Sequence, residues 1–367
     1  MNRRFLAAAI VVLFAAPQSA WPQSAVTISG FFKASVENLK LGQSAKSPNT
    51  EMRVTDESSR IIFNVAEDLG GGLQAIAQLD WRIQLDTGSD GGGALGNNFV
   101  GLRSRSWGAL TVGRHDLHYN NTPSEVAAKA GSYKAQSLAL LSFAGGGGTA
   151  VAGGSTRTPN VVRYDSPKWG GLGITAAYST NAGAAAEADI GSSARKGRAW
   201  NLAPIYTASD WQIGWSHWNS KPDAFAAADQ NGDRLWGYFT WRGLKLGVAW
   251  DRAKLKAGAT GVVTSNRTAW AIPLRYQTGN HNFYVEYSGA RDDKATANVD
   301  GAKMFALAYA YDLSKRTSAG VTFARVRNDA FATYNLYGSA GSQGSPSGAV
   351  AAGEDPRIWA IVLRHAF

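Results

Sequence analysis

The chain has 367 residues, 42 of them Gly, with 11% aromatic and 17% charged residues, no Cys and a formal net charge of +10. That length fits two ordinary domains or one large β domain, and the composition excludes a disordered chain or a helical membrane protein while favouring strands and turns. Without Cys there are no disulfides or thiolate metal sites, and the scattered bases form no stripe of the kind that binds nucleic acid.

At the amino terminus Arg3 and Arg4 precede an apolar run from Phe5 to Ala16, followed by small residues. Basic, apolar, small is the order of a secretory signal, and the run falls short of the about 20 residues that span a bilayer. Residues 1–25 are therefore expected to be a leader, cleaved after Ala20 or Ala25, with 26–367 as one β domain.

Beyond the leader, apolar residues recur with period two, the signature of strands whose faces meet different media. The pattern predicts strands near 26–38, 58–66, 73–86, 97–106, 109–116, 160–166, 171–180 and 198–207. It continues at 211–219, 234–242, 244–251, 268–276, 282–289, 302–312, 317–328 and 356–367, sixteen in all. In the run 73–86, Leu73, Ala75, Ala77, Leu79, Trp81, Ile83 and Leu85 alternate with Gln74, Gln78, Asp80, Arg82, Gln84 and Asp86. Short links such as 67–72 and 107–109 alternate with long ones such as 181–197 and 337–355, which describes antiparallel up-and-down strands with two unlike rims.

Alternation alone does not say which face is buried, because a sandwich hides its apolar face and a membrane barrel exposes it. Length decides for the barrel. A strand of about 13 residues at roughly 3.3 Å each spans a bilayer core when tilted near 45°, whereas sandwich strands average about 5 to 6 residues. Aromatics such as Tyr178, Trp200, Trp250, Tyr287 and Tyr311 close many segments, as interfacial girdles do. In lipid an open sheet edge leaves backbone groups unpaired, so the sheet must close, and sixteen strands enclose more space than side chains fill. Gln78, Asp80 and Arg82 then face a lumen, since a one-residue slip would put Arg82 in hydrocarbon at roughly 2 to 4 kcal/mol.

Six stretches carry a family resemblance: "VTISGFFK" (26–33), "SSRIIFNVAEDLGGGLQAIAQLD" (58–80), "LTVGR" (110–114), "NVVRYDSPKWGGLGITAAY" (160–178), "YDLSKRT" (311–317) and "LRHAF" (363–367). In this order they resemble the trimeric general porins of Gram-negative outer membranes, in the form common among beta-proteobacteria. The resemblance implies an all-β, 16-stranded antiparallel transmembrane β-barrel, usually a homotrimer, whose long third extracellular loop, about 115–156 here, turns into the lumen. It makes Phe367 the signal read by the barrel insertion machinery, and it gives outer-membrane lipids as further partners and no cofactor.

The same resemblance sets a column of wall bases against the inturned loop. Arg60 and Arg157 match the family's wall arginines, and Arg163 shares their parity. Lys33 stands where the family often has Asp, whereas Asn97 and Asn98 stand where Arg or Lys is common. The loop offers Asp116 and Glu125 against Lys129 and Lys134, with His115 and His118 charged only when protonated. Bases in low-dielectric walls concentrate anions. The expected function is therefore passive diffusion of small hydrophilic solutes with modest anion preference. The alternatives are a channel selective for organic acids or other anionic solutes, and a structural or adhesive barrel.

Other motifs carry less. "GGGG" (145–148) lacks the Lys-Ser/Thr of a phosphate loop, and "HDLH" (115–118) shows no third metal ligand. Asp292 and Asp293 are expected to be solvated loop acids, with cation bridging to surface lipids as the lesser option. No Ser-His-acid spacing suggests an enzyme.

Overall fold

A computed structural model describes residues 25–41, 50–89, 93–118, 122–123, 131–141, 157–182, 198–221, 228–337 and 350–367. Residues 1–24 of the expected leader lie outside them. The alternating segments become β1 (Ala25–Lys40), β2 (Thr50–Asp56), β3 (Arg60–Gly70), β4 (Leu73–Arg82), β5 (Asn98–Ser104), β6 (Gly108–Asp116), β7 (Arg157–Asp165) and β8 (Leu172–Ser179). Then follow β9 (Arg198–Thr207), β10 (Trp211–Lys221), β11 (Ala228–Trp241), β12 (Leu244–Ala257), β13 (Val263–Thr278), β14 (His281–Ala290), β15 (Ala302–Asp312), β16 (Thr317–Asn328) and β17 (Arg357–Ala366).

From β3 onward each strand pairs antiparallel with the next, and β17 returns to β1, from Phe31 opposite Ala366 to Lys40 opposite Arg357. The sheet is closed, which satisfies the backbone groups that lipid cannot. β3 pairs with the first half of β1 and β2 with the second, so the two form one wall position broken at 57–59. The barrel thus has sixteen wall positions. The sequence pattern starts this position at residue 58 and misses β2, whose apolar alternation is only Met52 and Val54.

Closure depends on Gly30. A Cβ there would lie 2.2 Å from the Arg60 carbonyl oxygen, where β1 leaves β3 and meets the chain end. Gly30 N–H donates to the Phe367 carbonyl at 3.3 Å and Phe367 N–H returns a bond at 3.2 Å.

On β14, Phe283, Val285 and Tyr287 are 44%, 36% and 42% exposed, whereas Asn282, Glu286 and Ser288 are 1%, 2% and 0%. Polar residues are inside and apolar ones outside, the inverse of a soluble sheet. Likewise Trp81 is exposed while Asp80 and Arg82 are buried. β4 stops at Arg82, short of the expected Asp86, because Ile83 N–H bonds to the Ser59 carbonyl and Gln84 enters a turn closed by Gly88 N–H.

Outward aromatics meet across strands near both rims. Near the short turns Tyr206 stacks on Trp211 at 5.1 Å and Phe283 lies 5.3 Å from Tyr309; higher up, Trp270 meets Tyr287 at 5.2 Å and Phe323 meets Trp359 at 4.6 Å. The interior is not uniformly polar. Met304, Val326, Ile358 and Val362 point inward and join one apolar cluster with Leu138, Leu140 and Leu141 of the β6–β7 connection.

Candidate pore constriction

The break at 57–59 turns its residues inward partway along β1. Ser58 has φ 70°, a left-handed conformation costly for a residue with a Cβ. Asp56 holds it, its Oδ2 accepting Ser58 N–H at 2.7 Å and Ser59 N–H at 3.1 Å. The turn offers Ser58 Oγ to two guanidinium groups, Arg60 Nη2 at 2.6 Å and Arg82 Nη1 at 2.7 Å. Arg82 also donates to Asp80 Oδ2 at 2.8 Å, from which Arg60 Nη1 is 3.8 Å away. Arg157 sits 3.5 Å from Asp116, close enough for its charge to act on Arg82. Arg114 acts on this group from the end of β6.

Facing these cations is Tyr133, in the first of two 3-10 turns, Tyr133–Ala135 and Ser137–Ala139. Its hydroxyl accepts Arg60 Nη2 at 3.4 Å, and Lys33 Nζ lies 4.6 Å from its ring centre. Burial pushes the Tyr133 phenol up, yet Arg60, Lys33, Arg82 and Arg157 together hold it below its ordinary pKa.

Glu57 fastens this segment to the wall. It accepts Ser132 Oγ at 2.7 Å, Tyr133 N–H at 2.6 Å and Lys134 Nζ at 3.3 Å. Lys134 also pairs with Glu37 at 3.0 Å, and Glu37 with Arg53. Lys33 Nζ donates to the Gly131 carbonyl at 2.5 Å, and Thr322 of β16 takes Ser132 N–H at 3.0 Å. Gly131–Leu141 therefore lies against inward residues of β1, the 57–59 break and β16.

The structure brings together Arg60, Arg82, Arg157, Asp80 and Asp116. It buries Lys33 under the Gly131–Leu141 segment and Lys134 within it, each with its ammonium group bonded to protein. Arg163 lies elsewhere, forked onto Asp165 at 2.8 and 2.9 Å and bonded to the Asp116 carbonyl at 3.1 Å. Gln78 bonds to Asn64 at 2.7 Å. Glu125, Lys129 and the tetraglycine fall outside the described residues.

Asn97 and Asn98 replace lost bases with backbone clamps, accepting Asp116 N–H at 2.5 Å and Asp80 N–H at 2.9 Å. His115 and His118 do not converge. His115 stacks on Phe99 and contacts Thr111, while buried His118 bonds Ser216 Oγ at 2.8 Å. Burial first, then Arg234 and His217, hold the His118 imidazole well below its ordinary pKa. Asp292 is solvent-exposed, as expected, and also accepts Asp300 N–H and Gly301 N–H, whereas Asp293 is buried and accepts Ser265 Oγ and Arg267 Nε.

The pattern reading misses Glu37, Arg53, Glu57, Ser58 and Tyr133. The available signal was the lapse of alternation across "DESSR" (56–60) between two alternating runs.

A closed β-wall with an apolar, aromatic-banded exterior and a charged interior defines an outer-membrane channel. A family model described as Gram-negative porin matches residues 7–330, and the chain belongs to that family. It is 26% identical over 325 residues to the major outer membrane protein P.IB of Neisseria meningitidis serogroup B, covering 81% of this chain and 86% of that one. An outer membrane porin of Bordetella pertussis is 25% identical over 387 residues, with 90% and 96% covered. Among solved structures, an anion-selective porin from Comamonas acidovorans superimposes with a TM-score of 0.76 at 21% identity, covering 94% of this chain and 100% of that one.

Proposed function

We propose that this outer-membrane porin passes small hydrophilic solutes by diffusion with a preference for anions, and that Arg60, Arg82 and Arg157 set that preference. The observation that carries it is the imbalance at the constriction: the guanidinium groups of Arg60, Arg82 and Arg157 face Tyr133, Arg114 lies near Arg157, and Asp80 and Asp116 are the local counter-charges. Low-dielectric walls focus such a field and raise the local anion concentration. The anion-selective porin of Comamonas acidovorans supports the reading by shared fold. Lys33 and Lys134 hold structure, because both are buried with their ammonium groups bonded to protein, and Arg163 is forked onto Asp165 rather than turned to Tyr133. Gly131–Leu141 is the part of the third loop that narrows the passage.

Further parts of the proposal are a leader ending at residue 20 or 25, Phe367 as the insertion signal and a homotrimer. An outer membrane protein of Vibrio cholerae with the same fold, 14% identical with a TM-score of 0.67, is described in a trimer form. The test is the reversal potential of single channels across a KCl gradient, with Arg60→Ala/Arg157→Ala beside the parent. Anion preference that falls in the double variant is expected; cation preference in the parent would overturn the proposal.

A second reading, a channel selective for organic acids, is favoured by the convergence of Arg60 and Arg82 on one hydroxyl, since guanidinium forks match carboxylates. Block of the current by millimolar organic acid, absent with chloride alone, would select it.

A further inference from the structure

The inner wall carries an apolar patch where water would otherwise stand. Met304 of β15, Val326 of β16 and Ile358 and Val362 of β17 point inward and are fully buried, although the inward parity of a water-filled barrel calls for polar residues. Something must cover them. Leu138, Leu140 and Leu141 belong to the same apolar cluster, and so do Ala332, Tyr334, Leu336 and Tyr337 of the connection that follows β16.

This second segment runs inside the barrel. Ala332, Tyr334 and Leu336 are 2%, 0% and 1% exposed, whereas Phe331 is 58% exposed and Thr333 is also exposed. Alternation with period two thus persists past the end of β16, but with its apolar side inward, the reverse of the wall. Asn328 turns the chain, its Oδ1 accepting Tyr334 N–H at 3.0 Å and its Nδ2 donating to the Tyr334 carbonyl at 2.8 Å. The Tyr334 hydroxyl accepts Arg267 Nη1 at 2.8 Å, and Arg267 is itself fixed by Asp293 at 3.1 Å and Asp300 at 3.2 Å. At the inner end Tyr337 N–H donates to the Lys134 carbonyl at 3.3 Å. Lys134 is the residue that Glu37 and Glu57 hold, next to Tyr133.

We propose that residues 332–337 are a strap that positions 131–141, so that two connections and not one set the constriction. Glu57 grips 131–141 from the wall at Ser132, Tyr133 and Lys134; the strap adds a bond at Lys134 and an apolar cover shared with the leucines. Releasing either segment wets that shared cover, which ties the two into one opening unit. Only the strap's effect on current rests on the reading of 131–141 as the narrow part of the passage.

Hydrogen exchange of the full chain folded in detergent, with single-channel recording of the same preparations, tests this. In the parent, 131–141 and 332–337 are expected to share one opening equilibrium. Tyr334→Phe, which loses the bond to Arg267, and Leu336→Ala are each expected to speed exchange in 131–141 about tenfold and leave β14 and β16 unchanged. The open-channel current then becomes noisier and its reversal potential shifts, whereas Phe331→Ala, exposed on the same segment, keeps parent behaviour. Either segment opening in the parent while the other stays protected would overturn the inference without any variant having to fold. So would parent rates in 131–141 of both variants, or a speeding spread evenly over the barrel, the mark of a general loss of stability. Faster exchange confined to 131–141 with an unaltered current upholds the strap and tells instead against 131–141 as the narrowing segment.

Discussion

At the scale of single residues, environment decides what each charge does. Arg60 and Lys134 are both bases beside the same wall break, but Lys134 is locked between the carboxylates of Glu37 and Glu57, while Arg60 bonds to Ser58 and Tyr133 and has its acid, Asp80, 3.8 Å away. Replacing Arg60 should therefore move selectivity, and replacing Lys134 should move stability. Lys134→Met leaves Glu37 and Glu57 short of a cation in a buried site, an expected loss of about 3 to 5 kcal/mol, read from urea unfolding by the gel-shift of folded barrel. His118 adds a pH dependence. Its folded pKa lies below the ordinary 6.5, so the unfolded chain takes up a proton first and stability falls as pH drops below about 6.5. His118→Asn should flatten the difference in unfolding midpoint between pH 7 and pH 5; an unaltered slope would assign the acid sensitivity to other groups.

Single strands show why register is strict. On β12, Leu246, Val248 and Trp250 are exposed while Lys245 and Asp251 are buried, so a slip of one residue would reverse every side chain. Val248→Arg is expected to cost about 2 to 4 kcal/mol, measured as the folded fraction in vesicles along a urea series. Ala249→Ser, at the next residue but inward, should stay within about 1 kcal/mol. The β6–β7 connection obeys a different constraint. Its 131–141 portion is held by Glu57, Lys33 and Thr322, so Glu57→Gln should loosen it, read as faster proteolysis within 131–141 and noisier single-channel current.

For the whole molecule the decisive event is closure of β17 on β1. Phe367 contributes two backbone hydrogen bonds to Gly30 and a ring 5.1 Å from Phe32. Deleting Phe367 should slow assembly of the closed barrel several-fold, measured as the rate at which the heat-modifiable folded band forms in vesicles; an unchanged rate would leave closure to the remaining β1–β17 ladder.

The sequence by itself determined the wall: which segments extend, which face meets lipid and which rim carries long loops. These follow from period-two patterning, because lipid penalises each misplaced polar group locally and the pattern needs no knowledge of distant residues. Arg82 was legible as lumen-facing for the same reason, whereas Arg60 and Arg157 were named by the family resemblance. Only the tertiary structure decided which inward charges stay available. Glu57, Ser58 and Tyr133 come from segments whose alternation lapses, and Glu57 alone reaches partners 75, 76 and 77 residues away in the chain. Pairing across such distances is set by the closed sheet and the segment folded against it, a geometry that no local pattern encodes.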